Sequence, residues 1–196
     1  GLQVKPRRRY IQTTNSKHWM RKWPNIIADT KVNRPDQVWV SDITYISTRS
    51  GFCYLSLVTD AYSRKIVGYC LHQTLKKEGP LSAIAMALQT LVDKPQHPLI
   101  HHSDRGLQYC CIDYTSLLEH KGITISMTEK GDPYENAIAE RVNGILKEEF
   151  ELYRNFDNYQ QAWDAVEEAV TVYNQQRPHA SCNYLTPQQA HEKQGQ

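Results

Sequence analysis

The chain has 196 residues, of which 40% are hydrophobic and 22% are charged, and its formal net charge is +2. These values are typical of a globular protein with a sizeable core, and no apolar run reaches the roughly 20 residues of a membrane-spanning helix. No apolar stretch follows the basic N-terminus, so no signal peptide is predicted. Five cysteines without a CxxC pair argue against a disulfide framework or a zinc site and indicate a reducing compartment, the cytoplasm.

The first 34 residues differ in charge from the rest of the chain. They carry a net charge of +8, and the remaining residues carry −6. A basic arm on an acidic domain suits binding to a phosphate backbone, and a solvated tail is the alternative. Tyr10, Trp19 and Trp23 favour nucleic acid because aromatic rings stack on bases, although they would equally well pack onto the domain.

We therefore predict a basic arm or linker at residues 1–34 and one folded domain at residues 35–194. Within the arm, residues 15–22 are the one candidate for a short helix. From residue 37 onward, turn residues and apolar periodicity predict five strands and five helices. The predicted strands are 37–47, 53–60, 64–72, 99–104 and 123–126. The predicted helices begin at Gly79-Pro80, cover 107–120, begin near Tyr134, cover 158–175 and begin at Thr186-Pro187.

The order of these elements predicts the fold class. Three strands with short connections are expected to pair antiparallel, and the later strands are separated by helices. This order is that of an α/β ribonuclease-H-like fold, a mixed five-stranded sheet flanked by helices. In that fold the first strand, the fourth strand and a later helix converge on one acidic site.

Three acidic residues stand where such a fold brings side chains together. Asp42 lies within the first predicted strand, Asp104 ends the fourth, and Glu140 follows Asp104 after thirty-five intervening residues, on a predicted helix. Carboxylates from two strands and a helix would hold two divalent cations, which activate an attacking oxygen and stabilise the leaving oxygen at a phosphate. Hard oxygen ligands favour Mg²⁺ over zinc.

Each carboxylate also has a structural alternative. Asp42 alone would fit a hydrogen-bonded structural role, and Asp104 alone would fit helix capping. Their joint occurrence with Glu140 favours the metal site. Glu140 competes with other acids on or near the same predicted helix, namely Glu135, Glu148 and Glu149. It is preferred because it shares one polar stripe with Asn136, Asn143, Gly144 and Lys147.

Five blocks, in order, resemble a known family: VWVSDITYI, YLSLVTDAYSRKIVGY, LIHHSDRGLQY, GDPYENAIAERVNGILKEEF and YNQQRPHASCNYLTPQQA. They are similar to the integrase-core transposases of bacterial insertion sequences, nearest to the insertion-sequence-three family, within the retroviral integrase superfamily. The resemblance runs from about Trp39 to Ala190. It implies a transposase core that depends on Mg²⁺ or Mn²⁺ and that cleaves DNA and joins its 3′ ends. It also implies that Asp42, Asp104 and Glu140 are the metal-binding triad.

Two departures from the family pattern leave the triad intact. Glu135 stands where the family usually has Asp, and Arg141-Val142 replaces the common Ser-Phe after the catalytic Glu. The family's helix-turn-helix region, which recognises the element's ends, has no counterpart here, so we expect the chain to be a fragment. The expected partners are DNA, as element ends and target, and a second copy of the chain on that DNA.

Basic and amide side chains are the candidates for DNA contacts. Lys147, on the stripe of Glu140, would contact a phosphate, with a solvent-exposed ion pair as the alternative. The other candidates are Asn136, Asn143, Arg105, Arg7, Arg8 and Arg9. His101 and His102 precede Asp104 on a strand, where neighbours face opposite ways, so one of them is expected to face the site. Arg177-Pro178-His179 receives no catalytic role.

Two other functions remain open at this point. One is a metal-dependent nuclease of the same fold that hydrolyses DNA without joining it. The other is an inactive derivative that keeps only DNA binding through residues 1–34. The presence of all three carboxylates argues against the second. For the enzyme, we expect a bacterial cytoplasmic location, at the nucleoid when DNA is bound.

Overall fold

A computed structural model describes residues 18–28, 30–91, 97–129 and 136–193. The strands are β1 (Val38–Thr48), β2 (Gly51–Asp60), β3 (Ile66–His72), β4 (Ile100–Ser103), β5 (Thr124–Met127) and β6 (Asn155–Phe156). The helices are α1 (Glu78–Gln89), α2 (Leu107–Cys110), α3 (Ile112–His120), α4 (Ala137–Glu149), α5 (Tyr159–Gln176) and α6 (Pro187–Glu192), with a 3-10 turn at Ala180–Cys182. None of the helices in these ranges is long and apolar enough to cross a membrane.

The strands form one mixed sheet in the order β3-β2-β1-β4-β5. The β1–β2 and β2–β3 pairs are antiparallel, and β4 runs parallel to β1 and β5. This arrangement confirms the predicted ribonuclease-H-like order. The sheet has a sixth strand that the five-stranded prediction did not include: β6 pairs with the end of β1 over two residues. Two residues are too few to give a periodic signal in the sequence.

Two predicted helices differ from the structure. The helix predicted at 107–120 is interrupted at Cys111, whose backbone is extended (φ −69°, ψ 148°), so α2 and α3 are separate. Of the helix predicted around 15–22, residues 18–22 are not helical, and residues 15–17 lie outside the described ranges. Residues 18–20 form bends there instead.

Helices cover both faces of the sheet. On one face, Trp39 and Ile43 of β1 pack in a core with residues of α1 and α3. On the other face, Ile46 of β1 packs in a core with α4 and α5. Alternate residues of a strand point to opposite faces, so Asp42 belongs to the face that α4 covers. The fold therefore places a helix directly against this carboxylate.

The segment before β1 packs against the edge of the sheet. The backbone carbonyl of Pro24 accepts a hydrogen bond from the Met127 amide of β5 at 3.3 Å. The Ile26 amide donates to the Ser126 hydroxyl at 3.1 Å, and Trp23 packs against the core. The described part of the predicted arm thus lies along β5, while the division at residue 34 stays a prediction.

Candidate active site

Asp42 lies in the middle of β1, the central strand of the sheet. Its Oδ2 accepts a hydrogen bond of 2.8 Å from Nδ2 of Asn143, a residue of α4. The carboxyl is partly exposed at the surface where α4 crosses the strand. A central strand thus delivers a carboxylate, and the neighbouring helix fixes its orientation.

Asp104 follows the last residue of β4, next to Asp42. Val40 pairs with His102 in the parallel β1–β4 ladder, and each acid stands two residues further along its strand. The amide of Gly106 donates to Oδ1 of Asp104 at 2.9 Å. A Cβ at residue 106 would lie 2.9 Å from this oxygen, so the glycine lets the backbone approach the carboxylate. The turn after β4 therefore holds the second acid in place.

Glu140 lies in the first turn of α4 with its side chain exposed. Two buried amides hold this helix against β1. Asn143 donates to Asp42 as described, and Nδ2 of Asn136 donates to the backbone carbonyl of Ser41 at 3.1 Å. The start of α4 is therefore fixed relative to Asp42, and Glu140 is carried with it.

The charges of Asp104 and Glu140 act on the Asp42 carboxyl. Burial raises the pKa of the Asp42 carboxyl from 3.8 to about 7, and the charges of Asp104 and Glu140 add to this rise. The hydrogen bond from Asn143 works against it. Partial burial also raises the pKa of Glu140. Like charges brought close together favour protonation, and a cation between them favours ionisation. Asp42, with Asp104 after the neighbouring strand and Glu140 on the helix that contacts it, therefore forms the unit in which the cation site is predicted.

The residues around this unit fit a divalent cation of the Mg²⁺ type. The donor set consists of carboxylates, which are the ligands that Mg²⁺ prefers. The Oδ1 atoms of Asn136 and Asn143 are buried without a hydrogen-bond partner, although each amide nitrogen donates to β1. Buried polar atoms normally have a partner, so these oxygens are suited to accept from water on a bound ion. Asp42, Asp104 and Glu140 would hold such ions.

A pH-dependent difference in stability is expected from Asp42. Because folding raises the pKa of Asp42, its protonated carboxyl stabilises the folded protein relative to its ionised form. This contribution to the free energy of unfolding is complete below pH 4 and is lost as the pH rises through about 7. Asn mimics the neutral carboxyl, so Asp42→Asn should differ least from the wild type at the low end of the range, near pH 4.5, and exceed it near pH 8. The expected gain is on the order of 2 kcal/mol, about half the full shift, because the carboxyl is partly exposed.

Urea denaturation with EDTA at several pH values measures this difference in free energy of unfolding. Comparing the two proteins at each pH removes the contributions of other groups, such as His179, whose pKa burial lowers to about 4. A difference between the proteins that stays constant from pH 4.5 to 8 would contradict the assigned environment of Asp42.

The described DNA-contact candidates fall into two groups. Asn136 and Asn143 are buried and hydrogen-bonded to β1, so they orient the site, and a DNA contact from them stays a prediction. Lys147 places its ammonium 3.9 Å from the ring centroid of Tyr45, and burial lowers its pKa. Arg105 donates to the backbone carbonyl of Glu129 at 3.0 Å. The remaining candidates, Arg7, Arg8 and Arg9, lie outside the described residues.

The two histidines before Asp104 are held in the interior. Nε2 of His101 lies 2.8 Å from the Ser41 hydroxyl and 2.9 Å from the Tyr114 hydroxyl. Nδ1 of His102 lies 2.8 Å from the Ser126 hydroxyl. Burial lowers the pKa of His101 to about 3, so it is neutral. Their hydrogen bonds tie β4 to β1, α3 and β5, which supports the strand that carries Asp104.

A second group of possible ligands consists of two acids and a histidine, namely Asp36 before β1, Asp60 at the end of β2 and His191 in α6. Asp36, Asp60 and His191 place ligand atoms within 4.8 Å of one another, and they are the one such trio in the described residues. Asp60 accepts hydrogen bonds from the amides of Asp36 and Ser63 and from the Ser63 hydroxyl. The Ser63 hydroxyl also lies 3.1 Å from Nδ1 of His191, so this group ties α6 to the turn after β2. The oxygens of the predicted triad are spread more widely. A site for two ions about 3.5–4 Å apart is wider than a site for one.

Sequence reasoning gave Arg177-Pro178-His179 no catalytic role, and its contacts are structural. Arg177 forms two hydrogen bonds with Glu149, Nε to Oε2 at 2.6 Å and Nη2 to Oε1 at 2.7 Å. His179 packs edge-on against Tyr173, with ring centroids 5.3 Å apart. The motif therefore joins the end of α5 to the end of α4.

Sequence reasoning missed the role of Asn143 in orienting Asp42, although its place three residues after Glu140 was a signal.

The family of the chain is indicated by two models, both described as integrase core domain. They match residues 32–133 and 121–187. The chain is 38% identical over 194 residues to the insertion element IS600 uncharacterized 31 kDa protein of Shigella sonnei, covering 98% of the chain and 71% of that protein. It is 31% identical to the transposase InsF for insertion sequence IS3A of Escherichia coli, covering 98% of the chain and 67% of that protein.

Solved structures show the same fold. A chain of the simian T-cell lymphotropic virus intasome in complex with PP2A regulatory subunit B56 gamma is similar with a TM-score of 0.69 and 19% identity, covering 92% of this chain and 61% of that one. The HTLV-2 integrase catalytic core domain in complex with magnesium, in its dimeric form, is similar with a TM-score of 0.62 and 18% identity. That match covers 83% of this chain and 99% of the other.

Proposed function

The chain belongs to the integrase core domain family, and from this membership we propose that it is a metal-dependent DNA strand-transfer enzyme, the DDE-type catalytic core of a transposase. Asp42, Asp104 and Glu140 are its proposed catalytic residues. The observation that carries the proposal is the position of Asp42: it lies on the strand next to the one that Asp104 follows, and it accepts a hydrogen bond from Asn143 of the helix that carries Glu140. Carboxylates delivered from two neighbouring strands and the helix that crosses them suit a cation site, and the raised pKa of Asp42 agrees with this.

The proposed reaction has two phosphoryl transfers. First, water attacks a phosphorus at the element end, and the bond from phosphorus to the 3′ oxygen breaks to leave a free 3′-hydroxyl. That hydroxyl then attacks a phosphorus of the target DNA, forming a new phosphodiester and releasing a 3′-hydroxyl from the target. Neither transfer requires a covalent bond to the protein, so the site needs no nucleophilic Ser or Cys.

The side chains have separate tasks in this reaction. Two Mg²⁺ or Mn²⁺ ions, when bound, would lower the pKa of the attacking oxygen and offset charge on the leaving oxygen. Asp42 and Asp104, on neighbouring strands, provide a rigid base for the site, and Glu140 closes it from α4. Asn143 keeps the Asp42 carboxylate turned toward the site through its 2.8 Å hydrogen bond. Lys147, beside Tyr45, lies one turn beyond Asn143, where it would meet a DNA phosphate.

The partners follow from the same proposal. DNA is both substrate and target, and joining one element to a target requires two element ends, so at least two copies of the chain act together on DNA. The similar viral integrase core in its dimeric form supports this. The enzyme would act in the bacterial cytoplasm, at the nucleoid when bound to DNA.

The proposal is tested by incubating the protein with a labelled duplex from an element end and an unlabelled target duplex, with Mg²⁺, Mn²⁺ or EDTA. Strand transfer yields labelled DNA longer than the input, in addition to the shortened cleavage product. We expect both products with Mg²⁺ or Mn²⁺ and neither with EDTA. Shortened products alone would identify a hydrolytic nuclease of the same fold, and unchanged DNA in all samples would reject the enzymatic function.

A further inference from the structure

Residues 18–23 form a non-helical segment with two distinct sides. His18, Met20 and Trp23 are partly buried against the domain. Between them, Trp19, Arg21 and Lys22 are exposed. One side of the segment thus presents an aromatic ring and two cations to the solvent.

The inward side attaches the segment to the loop that follows Asp104. Nε2 of His18 lies 2.9 Å from the backbone carbonyl of Arg105, the next residue after Asp104. Met20 and Trp23 pack against the core that contains Trp39. The Pro24 carbonyl then accepts a hydrogen bond from β5. The segment is therefore held on both sides of its exposed residues, and its position relative to Asp104 is fixed.

The outward side carries the most exposed tryptophan of the described residues. Trp19 is 91% exposed, whereas Trp39 is fully buried. The Arg21 guanidinium lies 4.7 Å from the Trp23 ring centroid, so it is stacked in place while remaining at the surface. Lys22, between Arg21 and Trp23, is exposed as well and adds a second cation to this surface.

This combination matches one chemical partner. Proteins that bind unpaired DNA stack aromatic side chains on bases and place cations along the backbone, and each stacked base contributes to affinity without sequence preference. An exposed tryptophan on an anchored segment can stack on a flat aromatic ligand. The two neighbouring cations favour a ligand that also carries phosphates.

Given the proposed DNA-cleaving function, on which this inference rests, we propose that Trp19 stacks on an unpaired nucleotide beside the phosphodiester that the triad cleaves. Arg21 and Lys22 bind the flanking phosphates. Trp23, the other aromatic of the segment, packs against the domain instead. The structure thus separates the two tryptophans that the sequence left equivalent.

The test compares the wild type with Trp19→Ala and Trp19→Phe, using Asp42→Asn as the background so that the DNA is bound and not cut. Two fluorescent duplexes are used, one with a three-nucleotide single-stranded end and one blunt. Trp19→Ala should weaken binding to the single-stranded end by about 5- to 100-fold, and Trp19→Phe should retain most of the affinity. Binding to the blunt duplex should change by less than about threefold.

A matched control is Tyr184→Ala, which removes another exposed aromatic ring, 77% exposed and far along the chain. It should bind both duplexes as the background protein does. Tryptophan fluorescence gives a second readout: the single-stranded end should quench emission in the background protein and not in Trp19→Phe. Replacing both Arg21 and Lys22 by Gln should lower the slope of log affinity against log salt by about 1.4.

The results separate this inference from the proposed function. If the wild type cleaves and joins DNA but Trp19→Ala binds the single-stranded end as tightly as the background protein, the inference is wrong and the function stands. Equal weakening on both duplexes would also reject stacking on an unpaired base. If the wild type neither binds nor cleaves DNA, the proposed function itself fails.

Discussion

Replacing Asp42 by Asn should abolish DNA cleavage and strand transfer and leave the fold intact. The substitution removes a charge from a carboxyl that is crowded by Asp104 and Glu140, so in the metal-free protein it relieves repulsion and gives up an attraction to Lys147. The Asn143 amide can still donate to the side-chain oxygen of the new residue. What is lost is an ionised oxygen that can hold a cation.

The expected size of the effect follows from the task of the ligand. Metal ions contribute several kcal/mol to stabilising the charge of a phosphoryl transition state. Losing about 4 kcal/mol corresponds to a roughly 10³-fold lower rate, because each 1.4 kcal/mol is a factor of ten. The rate constants of cleavage and of joining, measured separately in single-turnover assays, should both fall by at least this factor.

A second measurement tests metal binding without catalysis. Mg²⁺ or Mn²⁺ should raise the melting temperature of the wild type and have a much smaller effect on Asp42→Asn. Glu140→Gln should behave like Asp42→Asn, and Glu148→Gln, which changes another exposed acid of the same helix, is the matched control that should retain activity. An Asp42→Asn protein that cleaves at the wild-type rate would falsify the assignment of the triad.

Replacing Gly68 by Ala should destabilise the protein more than any other single methyl addition at a described glycine. A Cβ at this position in β3 would lie 2.1 Å from the Ala83 carbonyl oxygen and 2.8 Å from the Ala87 amide nitrogen, both in the backbone of α1. Backbone atoms cannot move aside as a side chain can, so α1 has to shift away from the sheet. Forced overpacking of this kind costs about 3 kcal/mol.

The natural control for this change is Gly144→Ala in α4. Its Cβ would meet no atom within 4 Å, and Ala is favoured over Gly inside a helix by about 0.5–1 kcal/mol. Urea denaturation should therefore show opposite changes in the two variants, with similar m-values. Equal stabilities of Gly68→Ala and the wild type would mean that α1 does not approach β3 as closely as described.

The parts of the fold with strong periodic patterns could be predicted from the sequence. The three antiparallel strands and the strand ending at Asp104 were predicted because long apolar or alternating runs end at turn residues such as Gly51 and Asp60. Thr186 was predicted to cap the last helix, and its hydroxyl does accept the Gln189 amide at 3.2 Å. Residues that are close together in the sequence determine these features, so the sequence pattern was enough to predict them.

Features that depend on distant contacts could not be predicted in this way. The break at Cys111 divides a segment whose composition suits one continuous helix. The hydrogen bonds from Asn136 and Asn143 to β1 join residues about a hundred positions apart in the sequence, so they leave no local pattern. For this reason the polar stripe that these two residues share with Glu140 was interpreted as a surface that faces DNA. Likewise, the burial of Trp23 and the exposure of Trp19 depend on how one short segment lies on the domain.

The contact between Pro24 and Met127 has a consequence for how this domain behaves in isolation. β5 is the last strand on its side of the sheet, and unpaired edges invite pairing with another molecule. Pro24 occupies part of that edge and, having no amide hydrogen, offers no donor to a further strand. A fragment trimmed to begin at residue 35 would leave the edge bare, and aggregation through exposed β5 would then limit its solubility.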